Sequence, residues 1–290
     1  MDILNTQNFL HSKKLVSQLV AMSNLGADDV VLEIGPGKGI ITEQLSLVCR
    51  QVFAVEYDKD YANKLIIKYS GSEKVCIVSE DILKYRMNIS GEYKLFSNIP
   101  FTITSDIMTK FLSDNRVQEI YFIMQYEAFL RFCGTPLYQD SYKSLLYKPF
   151  FSMEIIHRFA PSDFTPMPSA RIVFVHIARK NSFDISHTDL QVYQDFLSYL
   201  FMAKGEYFSD KLKLLFTYEQ IKRIMRQIQI TKQSKISDIT YDKWLQLFRI
   251  FLSFVSQDKK DKITNAYRKM LASQSTLEKQ HRNRSSKKEW

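Results

Sequence analysis

One stretch limits this chain's choice of fold more than any other: Val30-Val31-Leu32-Glu33-Ile34, followed at once by Gly35-Pro36-Gly37-Lys38-Gly39. A short β-branched, apolar run ending in glycine reads as a buried strand. Residues 40–45 then read as a helix. Strand, glycine turn and helix form the start of a βαβ unit, and the same alternation recurs downstream. Strands are expected at 51–55, closing on Glu56, at 74–78, ending near Asp81, at 94–97 and at 120–124. Helices are expected from Leu15 through Met22, at 60–67 and at 106–112. Such alternation implies a parallel sheet. Two further strands, 153–159 and 171–177, are joined by a proline-rich loop over 160–168, which predicts an antiparallel hairpin closing one edge. The expected fold class is α/β, with a seven-stranded, mostly parallel Rossmann-like sheet.

After residue 180 the pattern changes. Apolar residues recur at helical spacing, as in Leu212, Leu215, Ile221, Ile224 and Ile228, then Trp244, Leu247, Phe248 and Phe251. The domains expected are an α/β domain over 1–180, a small all-α C-terminal domain over 183–268, and a basic flexible tail over 273–290. Charge follows the same division. Residues 1–180 carry 20 Lys/Arg against 19 Asp/Glu (+1), and residues 181–290 carry 20 against 12 (+8). The excess positive charge therefore sits in the last third and points to a polyanion partner. Three widely spaced cysteines, Cys49, Cys76 and Cys133, include no CxxC pair. Neither a disulfide framework nor a metal site is expected, and a reducing cytoplasm fits. No apolar run is long enough for a membrane span.

The loop ends of the strands carry the chemistry. The glycine loop occupies the phosphate-binding position of a dinucleotide fold, but its spacing is G-x-G-x-G rather than G-x-G-x-x-G. It suits a nucleoside-like cofactor without phosphates, whose amino-acid part lies against the backbone near a helix start. Glu56 is placed to accept two ribose hydroxyls, and Asp81 to accept from an adenine amino group. An adenosine joined to an amino acid is S-adenosylmethionine.

Ser97-Asn98-Ile99-Pro100-Phe101 follows the fourth strand. The Asn98 side-chain oxygen and the Ile99 carbonyl can each accept one hydrogen of an exocyclic amino group. Pro100 brings no competing N–H, and Phe101 can stack on the ring. An ordinary Asn-x-Pro turn would explain these residues taken singly. Together with the cofactor loop they describe methyl transfer to an amino nitrogen whose lone pair is delocalised into its ring. The two acceptors would favour a tetrahedral nitrogen facing the donor. Phe164 is a second candidate for stacking on a base, or else a core plug.

Gln-Asn-Phe-Leu at 7–10, Leu-Glu-Ile-Gly-Pro-Gly-Lys-Gly at 32–39, Val-Glu-Tyr-Asp at 55–58, Glu-Asp-Ile-Leu at 80–83, Ser-Asn-Ile-Pro-Phe at 97–101 and Phe-x-Pro-x-Pro at 164–168 resemble, in order and spacing, the ribosomal RNA adenine N6-dimethyltransferase superfamily. The resemblance covers about residues 1–180, and a helical C-terminal domain is also a family feature. Asn-Ile-Pro-Phe and Gly-Lys-Gly are similar to the Erm branch, which methylates an adenine of 23S rRNA and confers macrolide, lincosamide and streptogramin B resistance. The KsgA branch dimethylates two adjacent adenines of small-subunit rRNA.

The resemblance implies cofactor contacts at Gln7, Asn8, Leu10, Gly35, Gly37, Gly39, Glu56, Tyr57, Asp81, Ile82 and Asn98, with the target adenine at Asn98, Ile99, Pro100 and Phe101. Phe101 and Phe164 would meet the substrate base, and Lys13 and Lys14 its phosphates. The expectation is an S-adenosylmethionine-dependent methyltransferase that adds one or two methyl groups to N6 of an adenine in 23S rRNA, monomeric and cytoplasmic, with KsgA-type dimethylation of small-subunit rRNA as the alternative. A non-catalytic nucleic-acid-binding factor on the same fold is the other class considered. Ser169-Ala170-Arg171 departs from the family pattern, which commonly has a valine and a small polar pair there.

Overall fold

The computed structural model describes residues 8–87 and 91–275, and Gln7 and 276–290 lie outside the described residues. The chain divides into two compact units, Met1–Phe183 and Asp184–Trp290.

The first unit begins with a two-residue strand β1 (Phe9–Leu10) and helix α1 (Lys13–Ala21). There follow β2 (Val30–Ile34), α2 (Ile40–Val48), β3 (Gln51–Glu56), α3 (Lys59–Lys68), β4 (Val75–Ser79), β5 (Tyr93–Asn98), α4 (Thr104–Leu112) and β6 (Val117–Gln125). Two short helices, α5 (Tyr126–Cys133) and α6 (Tyr142–Tyr147), lead to β7 (Phe151–Arg158), β8 (Phe164–Thr165) and β9 (Ile172–Arg179). The main sheet has seven strands in the order β4-β3-β2-β5-β6-β9-β7. Strands β4 through β6 are parallel, while β9 runs antiparallel to both β6 and β7. The hairpin expected from the proline-rich connection is present, with β9 inside and β7 on the edge.

Position in the sheet explains the sequence of each strand. Central β2 is covered on both faces and all five of its residues are buried, Glu33 among them. Helix α1 starts at Ser12, whose side chain accepts from the Leu15 N–H, and buries Val16, Leu19 and Val20. Asp58 caps α3 by accepting from the amides of Asp60 and Tyr61.

Two features were not expected from the sequence. Helices α5 and α6 fill the interval between the fifth and sixth expected strands. Strands β1 and β8 pair antiparallel, Phe9 with Thr165 and Leu10 with Phe164, so the proline-rich loop is stitched to the start of the chain. His11 Nε2 adds a contact to the Ser162 carbonyl at 2.8 Å.

The second unit is helical: α7 (Leu190–Met202), α8 (Phe208–Leu212), α9 (Tyr218–Gln227), α10 (Tyr241–Phe254), α11 (Gln257–Asp261) and α12 (Ala266–Ser275). Trp244 is its packing centre, within 6.2 Å of the rings of Phe196, Phe201 and Phe208. Helix α12 runs past residue 268, and the rest of the expected tail, from 276, lies outside the described residues.

Candidate active site

The site forms where β2 and β5, neighbours in parallel, reach their C-terminal ends. Ser97 locks the two strands, its hydroxyl oxygen accepting from the Ile34 N–H at 2.6 Å. The next residue on each strand, Gly35 and Asn98, therefore stands on one sheet edge, the usual binding edge of an open α/β sheet. Asn8, Phe9, Gly35, Asn98, Ile99, Pro100 and Phe101 line a cleft there of about 350 Å³, open to solvent.

The geometry within the cleft is directional. Asn98 Nδ2 donates to the Asn8 carbonyl at 2.8 Å. The amide nitrogen is thereby committed to the first strand's approach, and Oδ1 accepts no hydrogen bond among the described residues. The Ile99 N–H donates to the Ile123 carbonyl at 3.1 Å, pinning this turn to β6. The Pro100 carbonyl is taken by Ile103 N–H and Thr104 Oγ1. The Ile99 carbonyl, by contrast, is taken by none of the described residues. Two adjacent acceptors are thus left open beside Phe101, which is half-buried against the core.

Gly35 brings the start of the glycine loop into the cleft, and Phe9 packs over the rest of the loop. Gly37 sits at φ +53, and a Cβ there would come within 2.6 Å of the Phe9 ring. Gly39, at φ +78, would meet Leu65 at the same distance. Phe9 lies against this loop, with Lys38 Nζ 5.3 Å from its ring centre and Tyr61 5.9 Å away. Phe9 was not among the expected site residues. Its place between Asn8 and Leu10 in the Gln-Asn-Phe-Leu run is the signal that could have found it.

Two carboxylates lie beneath the loop. Glu56, 1% exposed, accepts from the Gly37 and Asp58 amides at 2.9 Å each. Burial raises its pKa, and these backbone donors counter the rise in part. Glu33 accepts from Thr42 Oγ1 at 2.6 Å. Burial pushes its carboxyl up to about 8, with Thr42's bonds opposing and the nearby Glu56 adding to the rise.

The other expected residues are less convergent. Asp81, Tyr57 and Ile82 stand on the loops after β4 and β3, at the same sheet edge but outside the cleft lining. Asp81 Oδ1 accepts from the Leu83 amide at 2.9 Å, Ile82 is buried, and Tyr57 is 63% exposed. Lys110 Nζ ties this turn to α4 through the carbonyls of Ile82 and Tyr85.

Leu10 is buried in the core cluster. Phe164 is 2% exposed there, with its ring edge-on to Phe159 at 5.2 Å. It fills the core and shows no face to a base, so its stacking role is corrected: pairing of β1 with β8 turns the side chain inward. Lys13 is bound to Glu43 at 2.6 Å, while Lys14 is exposed. Among the described residues, no cluster of three metal-ligating side chains occurs and no helix is long and apolar enough to cross a membrane.

Sheet order, glycine loop and the Asn98 turn together define a Rossmann-like methyltransferase. Residues 4–252 match the ribosomal RNA adenine dimethylase family, and the chain belongs to it. Among curated relatives, an rRNA adenine N-6-methyltransferase of Bacillus anthracis is 28% identical over 255 residues, spanning 87% of this chain and 88% of the relative. The ribosomal RNA small subunit methyltransferase A of Fusobacterium nucleatum is 29% identical over 251 residues, with 84% and 95% covered. The 23S rRNA methyltransferase ErmE shares the fold, with a TM-score of 0.76 at 22% identity over 85% of this chain and all of ErmE. So does a dimethyladenosine transferase from Plasmodium falciparum, at 0.68 and 18% over 87% and 98%.

Proposed function

We propose that this protein transfers a methyl group from S-adenosylmethionine to N6 of an adenine in a loop or single-stranded part of 23S ribosomal RNA, giving macrolide, lincosamide and streptogramin B resistance. The observation that carries the chemistry is the pair of open acceptors, Asn98 Oδ1 and the Ile99 carbonyl, with Asn98 Nδ2 held by Asn8. Each acceptor takes one hydrogen of the target amino group and favours a tetrahedral nitrogen. Charge developing on that nitrogen strengthens both bonds, so the binding is tighter in the transition state. Phe101 stacks on a base drawn out of its helix or loop.

S-adenosylmethionine supplies an electrophilic methyl on its sulfonium sulfur. The residues present fit that cofactor: Gly35 brings its backbone to the cleft, and Gly37 and Gly39 carry the loop at positive φ under Phe9 and Leu65 to the start of α2. Each Glu56 oxygen keeps a second lone pair for a ribose hydroxyl after serving Gly37 and Asp58. Asp81 takes the adenine amino group of the cofactor, with Ile82, Tyr57, Asn8 and Leu10 shaping the surroundings. No strong base is required, because the proton leaves a cationic nitrogen to water.

In this reading 1–180 forms the catalytic domain, and the basic helical domain over 183–268 holds RNA as a monomer in the cytoplasm. Lys14 contacts a phosphate, and Lys13 does so by leaving Glu43. The 23S preference rests on Ile99, Phe101 and the Gly37-Lys38-Gly39 ending. Small-subunit rRNA is the second reading, favoured by the relative from Fusobacterium nucleatum.

Labelled methyl transfer to protein-free 23S rRNA and, in parallel, to immature 30S particles tests both, with modified adenines mapped by reverse-transcription stops. Label at one 23S adenine is expected. Label only in 30S particles would move the protein to the other substrate. Asn98→Ala should reduce transfer by about 100-fold or more. Biological activity surviving that loss would favour a binding role instead.

A further inference from the structure

The cleft accounts for one base, but the same sheet edge carries a second feature. Tyr126 begins α5 directly after β6, and its ring lies 5.1 Å from the Arg158 guanidinium and 4.5 Å from that of Arg171. Two cations are thus held on one aromatic ring, each by cation–π attraction and in spite of their mutual repulsion. Both line a groove of about 680 Å³, open to solvent, walled by Phe159, Pro161 and Pro168.

Arg158 is exposed, and its side chain has no hydrogen bond or ion pair among the described residues. Arg171 is bonded to Glu127 Oε1 at 2.9 and 2.7 Å, but the two side chains are 70% and 52% exposed. A pair so open to water contributes little and yields readily to a competing anion.

The groove's distance from the cleft follows from strand register. Asn98 pairs with Ile123 on β6, Gln125 pairs with Ile172 on β9, and the Tyr126 N–H donates to the Arg171 carbonyl at 2.9 Å. The arginine groove therefore begins three residues beyond the Asn98 row, about 10 Å along the strand direction. A guanidinium suits a phosphate diester, which it can bind through two N–H groups.

We propose that this groove holds the sugar-phosphate backbone of the RNA strand flanking the target adenine, with Arg158 and Arg171 on its phosphates and Glu127 as a competitor that keeps Arg171 in place until RNA arrives. The proposal rests on the RNA methyltransferase reading and adds a subsite to it. The arginines position the strand without reading its sequence.

The test measures affinity of the full-length protein for a protein-free 23S rRNA fragment by fluorescence anisotropy across a salt series, alongside KM and kcat for methyl transfer. The double variant Arg158→Ala/Arg171→Ala is expected to weaken binding and raise KM by about tenfold or more. Its salt dependence should flatten by about 0.7 in logarithmic slope for each single-strand phosphate no longer neutralised, while affinity for S-adenosylmethionine is unchanged. Glu127→Gln should act in the opposite sense and tighten RNA binding, which a purely structural ion pair would not do. Unchanged affinity and salt slope in the double variant would overturn the proposal. If the double variant does not fold, Glu127→Gln decides alone: tightening supports the groove and unchanged affinity overturns it. A wild-type protein that binds the RNA but transfers no methyl counts against the enzymatic reading, and the groove is still judged by affinity.

Discussion

Glu33 offers a direct test of how burial governs this site. It stands in the middle of β2, 1% exposed, with its carboxyl pushed up from 4.5 to about 8, chiefly by burial. Between those values the folded chain keeps a proton that the unfolded chain releases. Stability contributed by this group is full below about pH 4.5 and is lost as pH rises toward 8, by roughly 1.4 kcal/mol per pH unit. Glu33→Gln imitates the neutral acid: it keeps an oxygen for Thr42 and cannot ionise. The variant should therefore gain on the wild type by on the order of 3 kcal/mol between about pH 5.5 and 7.5. Urea unfolding of both proteins across that range, followed by far-ultraviolet circular dichroism, measures the difference. Tryptophan emission, from Trp244 and Trp290 in the other unit, serves as internal reference. Other titrating groups, including Glu56, are common to both proteins and largely cancel. Stability curves that stay parallel across that range would show that Glu33 ionises normally, and would refute the argument from burial.

Gly37→Ala places a methyl against the Phe9 ring at a positive φ, so cofactor affinity measured by calorimetry should fall at least tenfold while the fold persists. Phe164→Ala empties a core position and should cost about 3–5 kcal/mol in chemical denaturation. A loss of methyl transfer without a loss of stability would restore its role as a stacking residue. In the helical unit, buried Asp195 accepts from the Asn265 and Tyr267 amides, joining α7 to the start of α12. Asp195→Ala should cost about 1–3 kcal/mol and speed amide exchange at the start of α12.

What the sequence determined by itself was local and periodic. β-Branched runs separated by helical patterns specify βαβ units, because a strand buried on both faces must be apolar nearly throughout. A proline-rich connection without helical pattern specifies a hairpin. Gly35, Gly37, Gly39 and the Asn98 turn were legible as turns because turn residues are a property of neighbouring positions. Tertiary structure alone decided what depends on distant chain. Phe9 became a wall of the cleft, and Phe164 a core residue, through a two-residue strand pair joining the start of the chain to the proline-rich loop, too short to leave any alternation. The direction of the Asn98 amide depends on the Asn8 carbonyl, ninety residues away. Glu33 lies in a strand that reads as buried, but its raised carboxyl pKa exists only once both faces of β2 are covered. Arg158 and Arg171 meet on Tyr126 only because β9 lies between β6 and β7. Charge, burial and hydrogen-bond direction are set by what surrounds a group, and those surroundings exist only after folding.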